Sequence, residues 1–160
     1  MEQTFVILKP SCVARGLMGE VIGRIERRGI TVIAMKMMQL DIEKLREHYA
    51  HLADRPFFPG LAESMMATPV VCMVLKGIDV VRVFREMVGS TNGRNAAPGT
   101  LRGDLCMSNQ ANIVHASDSI ENAKIEIARF FDPSEICDYT PQNLSFLYAN
   151  DELDPDYYKK

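Results

Sequence analysis

Apolar residues follow two rhythms along this chain. Continuous runs at residues 4–8 (TFVIL) and 70–75 (VVCMVL) read as buried strands, the first stopped by Pro10 and the second following Pro69. Residues 30–40 are rich in Val, Ile and Met over strand length, and residues 112–116 (NIVHA) give a last, short strand. Between these runs the period lengthens to that of a helix. Leu17, Val21 and Ile25 recur every fourth residue, with Gly29 as a C-cap candidate. Asp41 can cap a second helix whose Ile42, Leu45, Tyr49 and Leu52 share one face. Pro56 and Pro59 break the next stretch, and a short helix is expected over residues 60–66. Val80, Val81, Phe84 and Val88 form another stripe, ended by Gly89. Asp118 with Glu121 reads as a capping box opening a final helix, with Ala123, Ile127 and Phe130 inward.

The order is strand, helix, strand, helix, strand, helix, long loop, strand, helix. A βαββαβ core of this kind predicts an α/β (α+β) fold: a ferredoxin-like sandwich with a four-stranded antiparallel sheet and extra helices. No linker or internal repeat divides the chain, so residues 1–160 are expected to form one domain. Residues 132–160, aromatic and acidic, are expected to extend along the surface or onto a neighbouring subunit. Residues 89–104 carry four glycines and a proline without periodicity, and a structureless loop of that length is usually functional or disordered.

Composition narrows the function classes. Hydrophobic residues make up 47% and charged residues 24% of 160, ordinary for a soluble globular protein. A net charge of −3 argues against nucleic acid as a partner. The longest apolar run is too short to span a bilayer, and the N-terminus lacks the pattern of a signal peptide. Cys12, Cys72, Cys106 and Cys137 are scattered with no CxxC pair, which disfavours zinc and suits free thiols in a reducing cytoplasm.

The candidate chemistry is dispersed. There is no GxxxxGK[ST] and no strand-linked GxGxxG. Instead Lys9 ends the first strand, Arg85 lies on a helix, Arg94 and Arg102 lie in the long loop, and Thr91 adds a hydroxyl. Guanidinium groups grip phosphate oxygens in pairs, although any one of these could be a plain surface charge. His115 ends an apolar segment, where a strand delivers a side chain to the edge of a site. Neutral imidazole can attack phosphorus, provided a partner on its other nitrogen steadies the cation that forms. Glu126 in the following helix could be that partner, with Ser117 orienting either group. Alone, a histidine beside apolar residues is more often structural. Phe57, between prolines with Phe58, could stack on a nucleobase, while core packing suits at least one of the two. His48 and His51 lack a carboxylate cluster or metal motif and read as surface or satisfied residues.

Taken together, TFVILKPS, RGLMGEVIGRIERRG, HYAHLADRPFFPGL, REMVGSTN, APGTLRGD and NIVHASDS stand in the order and spacing of the nucleoside diphosphate kinase family. The chain resembles that family over residues 3–148, and NIVHASDS resembles its active-site signature. The resemblance implies transfer of the γ-phosphate of a nucleoside triphosphate to a nucleoside diphosphate, by a ping-pong route through phosphorylated His115. Carried over residue by residue, it implies that Lys9 contacts the sugar hydroxyl and phosphates, and that Tyr49 lies beside the histidine. Phe57 would stack on the base with Leu61 at its edge. Arg85, Thr91 and Arg102 would hold phosphates, Asn112 the ribose, and Glu126 with Ser117 would support His115.

Mg²⁺ is implied on the nucleotide phosphates, with no dedicated protein ligand. A homohexamer in the cytoplasm is implied, a tetramer being the alternative. The chain departs from the family pattern at Asn109, where an apolar residue is frequent opposite the stacking aromatic. Other departures are Ala116, Gly93 and the Ser11-Cys12 pair. A binding module of the same fold without catalysis is the competing expectation.

Overall fold

The computed structural model describes residues 1–153. Four strands, β1 (Glu2–Leu8), β2 (Thr31–Met38), β3 (Val70–Gly77) and β4 (Val114–Ala116), form one antiparallel sheet in the order β2-β3-β1-β4. This is the strand order of a ferredoxin-like βαββαβ sandwich, as the sequence predicts. The central strands β1 and β3 carry the two continuous apolar runs, because both of their faces are covered.

Strand alternation sorts these residues into two layers. Val6, Leu8, Met73 and Leu75 pack against Val21 and Ile25 of α2 (Met18–Arg27) and Val80, Phe84 and Val88 of α5 (Val80–Val88). Phe5, Ile7, Cys72 and Val74 face the other way. They meet Leu45 of α3 (Ile42–His48), Phe58, Ala62 and Met65 of α4 (Phe58–Met66), and Phe130 of α7 (Ile120–Phe130). Phe5 and Phe84 are fully buried, and truncating a side chain of that size to alanine costs about 3–5 kcal/mol.

Strand β2 is an edge, and its Met35 and Met37 are 56% and 55% exposed. A bulge falls between Val32 and Ala34, and the carbonyl of Ile33 accepts from the Cys137 amide at 2.7 Å. The chain after α7 thus runs back to β2, where the Tyr139 hydroxyl also donates to the Val32 carbonyl. Beyond it a short helix, α8 (Leu144–Leu147), sets Leu147 against Gly29, where φ is +84° and a Cβ would meet the Leu147 side chain at 2.7 Å. The last part of the acidic, aromatic tail, residues 154–160, lies outside the described residues.

Local chemistry moves several expected boundaries. Asp41 caps α3 by accepting from the Lys44 amide, but that helix stops at His48, and residues Ala50–Leu52 form a 3-10 turn. Tyr49 and Leu52 are therefore not a continuation of the Ile42–Leu45 face, and Ile42 is 40% exposed. Helix α4 begins at Phe58 rather than 60, since Pro59 fits a first turn that has no use for its N–H. The cap of α7 is Ser119, which accepts from the Asn122 amide, and Asp118 binds the Asn122 side chain instead.

The loop at 89–104 is also not structureless. It holds a 3-10 turn, Gly93–Asn95, and the start of α6 (Leu101–Leu105), capped by Thr100. Glycine is required at residue 103, where a Cβ would sit 2.0 Å from the Ala97 carbonyl oxygen. Helix α1 (Pro10–Ala14) follows β1 directly, and the Ser11 hydroxyl ties it to the Asn112 carbonyl.

Candidate active site

Pairing places His115 opposite Ile7 of the central strand, in the middle of the sheet's shortest strand. Antiparallel to β1, β4 then hands the chain through Ser117 into α7, which packs over β1 and turns Glu126 back toward the strand. The His115 side chain is 20% exposed, and its Nε2 lies 3.0 Å from Glu126 Oε1. Glu126 Oε2 accepts from the buried Ser117 hydroxyl, which itself accepts from the Phe5 amide at 3.2 Å. Burial pushes the Glu126 carboxyl up, but hydrogen bonds from His115 and Ser117, with the nearby charges, more than offset this and hold it below the usual range. It is a carboxylate, so the proton of the pair sits on His115 Nε2 and the free electron pair on Nδ1.

Aromatic rings box the imidazole. Phe5, His48 and Tyr49 lie with ring centroids 6.1, 4.7 and 6.3 Å from that of His115. The Tyr49 hydroxyl is pushed well above its ordinary range by burial and by the Glu126 charge, so it remains protonated.

In front of His115 opens a cavity of about 1170 Å³. That is ample for a nucleotide, since ligand pockets commonly hold roughly 300–1,000 Å³. Its lining includes Lys9, Tyr49, Phe57, Leu61, Arg85, Thr91, Arg102, Asn112 and Glu126. Ser117 stands behind Glu126 rather than in the cavity wall, so the fold gathers every residue that the family resemblance singles out.

Two of the cations there are held in place by backbone carbonyls. Lys9 is buried, and its Nζ donates to the Gln110 carbonyl at 3.0 Å. Burial, helped by the Arg102 charge, brings its pKa down to about 8. Arg102 donates to the Gly89 carbonyl at 3.0 Å and the Val114 carbonyl at 2.8 Å, so it pins the loop to β4. Its Nε is buried and has no partner among the described residues. Asn112 is fixed at both ends of its amide: Nδ2 donates to the Asn109 carbonyl and Oδ1 accepts from the Val114 amide. At the lip, Phe57 is 53% exposed while Phe58 is buried, which divides the pair into one platform and one core residue. Asn109 lines the same cavity.

The structure departs from three sequence expectations. Arg94 does not join the phosphate set; its side chain donates to the Met107 carbonyl. His51 is exposed as expected, yet it lines the cavity. His48 is neither a surface residue nor satisfied, being buried with no partner for its Nε2 among the described residues. Its Nδ1 lies 3.2 Å from an Arg129 nitrogen, and Arg129 also lines the cavity. Both carry a readable signal: His48 follows the buried Leu45 by three residues, and Arg129 follows Glu126 by three, each pair sharing a helix face.

The nucleoside diphosphate kinase family model matches residues 2–136. A nucleoside diphosphate kinase of Parabacteroides distasonis is 55% identical over 153 residues, covering 96% of this chain and 100% of the relative. Nucleoside diphosphate kinase A of Homo sapiens is 46% identical over 147 residues, covering 92% and 97%. Among solved structures, a halophilic nucleoside diphosphate kinase from Halobacterium salinarum in complex with CDP superposes with a TM-score of 0.89. It is 40% identical, with 92% of this chain and 98% of that one covered.

Proposed function

The chain belongs to the nucleoside diphosphate kinase family and carries its activity, and from that premise we propose how its own residues divide the work. A nucleoside triphosphate enters the cavity with its base on Phe57 and Leu61 and its ribose beside Asn112 and Lys9. Arg85, Arg102, Thr91 and Lys9 receive the phosphates. Stacking on a half-exposed ring suits any base, because every base has a π-face, and broad nucleobase tolerance results.

The observation that carries the reading is the 3.0 Å contact between His115 Nε2 and Glu126 Oε1. With Nε2 engaged, the Nδ1 lone pair attacks the γ-phosphorus. The bond to the β,γ-bridging oxygen breaks, and the nucleoside diphosphate leaves with that electron pair. The proton stays on Nε2, where Glu126 stabilises the cationic phosphoimidazole, itself steadied by Ser117. A second nucleoside diphosphate then attacks phosphorus with a terminal oxygen, the P–N bond breaks, and His115 is restored. Arg85 and Arg102 stabilise the charge spread over the transferring group in both half-reactions.

Mg²⁺ belongs to this reading as a companion of the nucleotide. Among the described residues, His48, His115 and Glu126 form the group able to ligate a metal. That set is rich in nitrogen and already hydrogen-bonded, whereas Mg²⁺ takes oxygen ligands in octahedral array. The residues present therefore suit a nucleotide that brings its own Mg²⁺, which would neutralise phosphate charge.

A homo-oligomer is supported by the edge strand β2 with its exposed Met35 and Met37 and by Phe146, which is 90% exposed. The long C-terminal segment that carries Phe146, able to brace a neighbouring subunit, favours a hexamer over a tetramer. Light scattering coupled to size exclusion tests this, and a monomer would overturn it. A cytoplasmic location is supported by four cysteines that are all free thiols. Among the described residues no helix is long and apolar enough to cross a membrane.

The deciding experiment is phosphohistidine labelling. Wild-type protein mixed with γ-labelled ATP is expected to acquire acid-labile, alkali-stable label that is absent from His115→Ala. No label in the wild type, or full label in the variant, would sink the reading.

A further inference from the structure

Glu126 stands between two imidazoles. Its Oε1 lies 3.0 Å from His115 Nε2 and 3.9 Å from Nδ1 of His48. The two rings are edge-on to one another, 4.7 Å apart at their centroids. The His48 side chain is only 1% exposed, so it has no water to turn to. A proton on His48 Nδ1 would make that ring a second donor competing for the oxygen that His115 needs.

Arg129 prevents this. Its guanidinium nitrogen Nη1 lies 3.2 Å from His48 Nδ1, and a guanidinium only donates. His48 Nδ1 must then be the bare, accepting nitrogen, with the ring neutral and its proton on Nε2. Arg129 is in turn held by charge, in an ion pair with Glu47 whose Oε1 lies 3.2 Å from Arg129 Nε. That buried N–H is not aimed at the oxygen and makes no hydrogen bond among the described residues. The arrangement is asymmetric by construction: one histidine donates to the carboxylate and the other accepts from an arginine.

We propose that Arg129 is a positioning residue for phosphoryl transfer: by donating to His48 Nδ1 it keeps that histidine off Glu126 and reserves the carboxylate for His115. The inference rests on the reading of His115 as the nucleophile. The surroundings of His48 favour the same neutral state. His115 faces it from β4, Glu126 and Arg129 face it from α7, and Glu47, Tyr49 and His51 flank it on its own side. Phe5 and Phe130 close the remaining sides. Burial first, then the His115 charge and the Arg129 charge against the opposing Glu126, bring the His48 pKa down to about 3.

Without Arg129, His48 is free to carry its proton on Nδ1 and to close the 3.9 Å gap to Glu126. The carboxylate is then shared, and the cation that develops on His115 loses part of its support. The loss falls on the chemical step rather than on nucleotide binding.

Long-range ¹⁵N–¹H correlation spectra of the histidines in the full-length protein test this directly. The wild type is expected to show His48 bare at Nδ1 and protonated at Nε2 from about pH 6 to 9, as for any neutral imidazole held by a donor at Nδ1. Arg129→Met is expected to move the proton to Nδ1 and lower kcat about tenfold, with KM for nucleotide within about twofold. Arg129→Lys, which retains a donor, is expected to keep the wild-type tautomer. Adding His48→Phe to Arg129→Met removes the competitor and should recover most of the lost kcat, which no merely structural role of Arg129 would produce.

A wild-type His48 protonated at Nδ1 overturns the proposal without any variant having to fold. So does a double variant no faster than Arg129→Met, or a change confined to KM, which would make Arg129 a nucleotide contact. Absence of phosphohistidine in the wild type would instead remove the nucleophile reading, while the His48 spectrum still judges the role of Arg129.

Discussion

Glu126 accepts from His115 through one carboxylate oxygen and from Ser117 through the other, so a single side chain fixes both the tautomer and the orientation of the imidazole. A carboxylate that holds the tautomer of a catalytic imidazole and stabilises its cation contributes up to about 10⁴-fold to catalysis. Glu126→Ala is expected to lower kcat by roughly 10²-fold while leaving nucleotide KM little changed, because the carboxylate meets the histidine and not the substrate. Glu126→Gln should fall in between, since its amide oxygen can still accept from Nε2 but carries no charge. Steady-state exchange kinetics check this, and a KM effect larger than the kcat effect would contradict it.

Lys9 makes the site sensitive to alkali. Its folded pKa of about 8 lies below the ordinary 10.5, so between those values the unfolded chain binds more protons than the folded one. Stability attributable to this group therefore rises with pH across that window, by up to roughly 3 kcal/mol. With Lys9 receiving phosphate as proposed, function runs in the opposite direction, since a neutral amine holds phosphate poorly. A decline in kcat/KM is expected above about pH 8, and Lys9→Arg should remove that inflection even if its overall rate is lower. Urea unfolding of the wild type against Lys9→Met, at about pH 7 and about pH 10, isolates the stability part: the difference should shift in favour of the wild type as pH rises.

Arg102 has two duties. It bridges the Gly89 and Val114 carbonyls while presenting its charge to the cavity, and only a planar, forked donor does both. Arg102→Lys is expected to raise nucleotide KM and also to lower stability by about 1–3 kcal/mol, because a buried carbonyl loses its partner. Gly103→Ala should produce a similar joint loss without touching any charge. Its Cβ would meet the Ala97 carbonyl at 2.0 Å and displace the helix that carries Arg102. Urea midpoints and KM measured on the same preparations check both variants. A stability loss with unchanged KM would mean that Arg102 does not depend on this backbone.

Sequence and site are connected unevenly, for physical reasons. The two central strands are legible as FVIL and VVCMVL because burial on both faces leaves no polar residue to blur the run. Helix ends are less so: Asp118 and Ser119 are both good caps, and in the fold Ser119 takes the backbone amide of Asn122 while Asp118 takes its side chain. The short helix α6 is hidden in glycines and polar residues, since five residues give no period to read. The individual arginines are indistinguishable by composition, and it takes the fold to send Arg102 into the cavity and Arg94 to Met107. The burial of His48 is only hinted at locally, by its spacing from Leu45 on one helix face, and is completed by Phe5 and Phe130, which are distant in sequence.

Phe57 and Asn109 line the same cavity, and on the proposed reading they divide base binding between a ring and a polar side chain. The ring supplies the affinity, as stacking is worth about 1–3 kcal/mol per base. Phe57→Ala is therefore expected to raise KM by about tenfold or more for purine and pyrimidine nucleotides alike, with kcat little altered. Asn109 behaves differently, because the bond it makes among the described residues runs through its carbonyl, to Asn112. Its side chain is free to change without disturbing the fold, so Asn109→Leu should stay within about 0.5 kcal/mol of wild-type stability. An apolar group facing the ring would exclude water from the second face of the base, and KM should fall for every nucleotide. Parallel KM measurements with purine and pyrimidine nucleoside diphosphates check the pair: if Asn109→Leu lowers KM for some bases and raises it for others, the amide is reading base edges and not merely loosening the clamp.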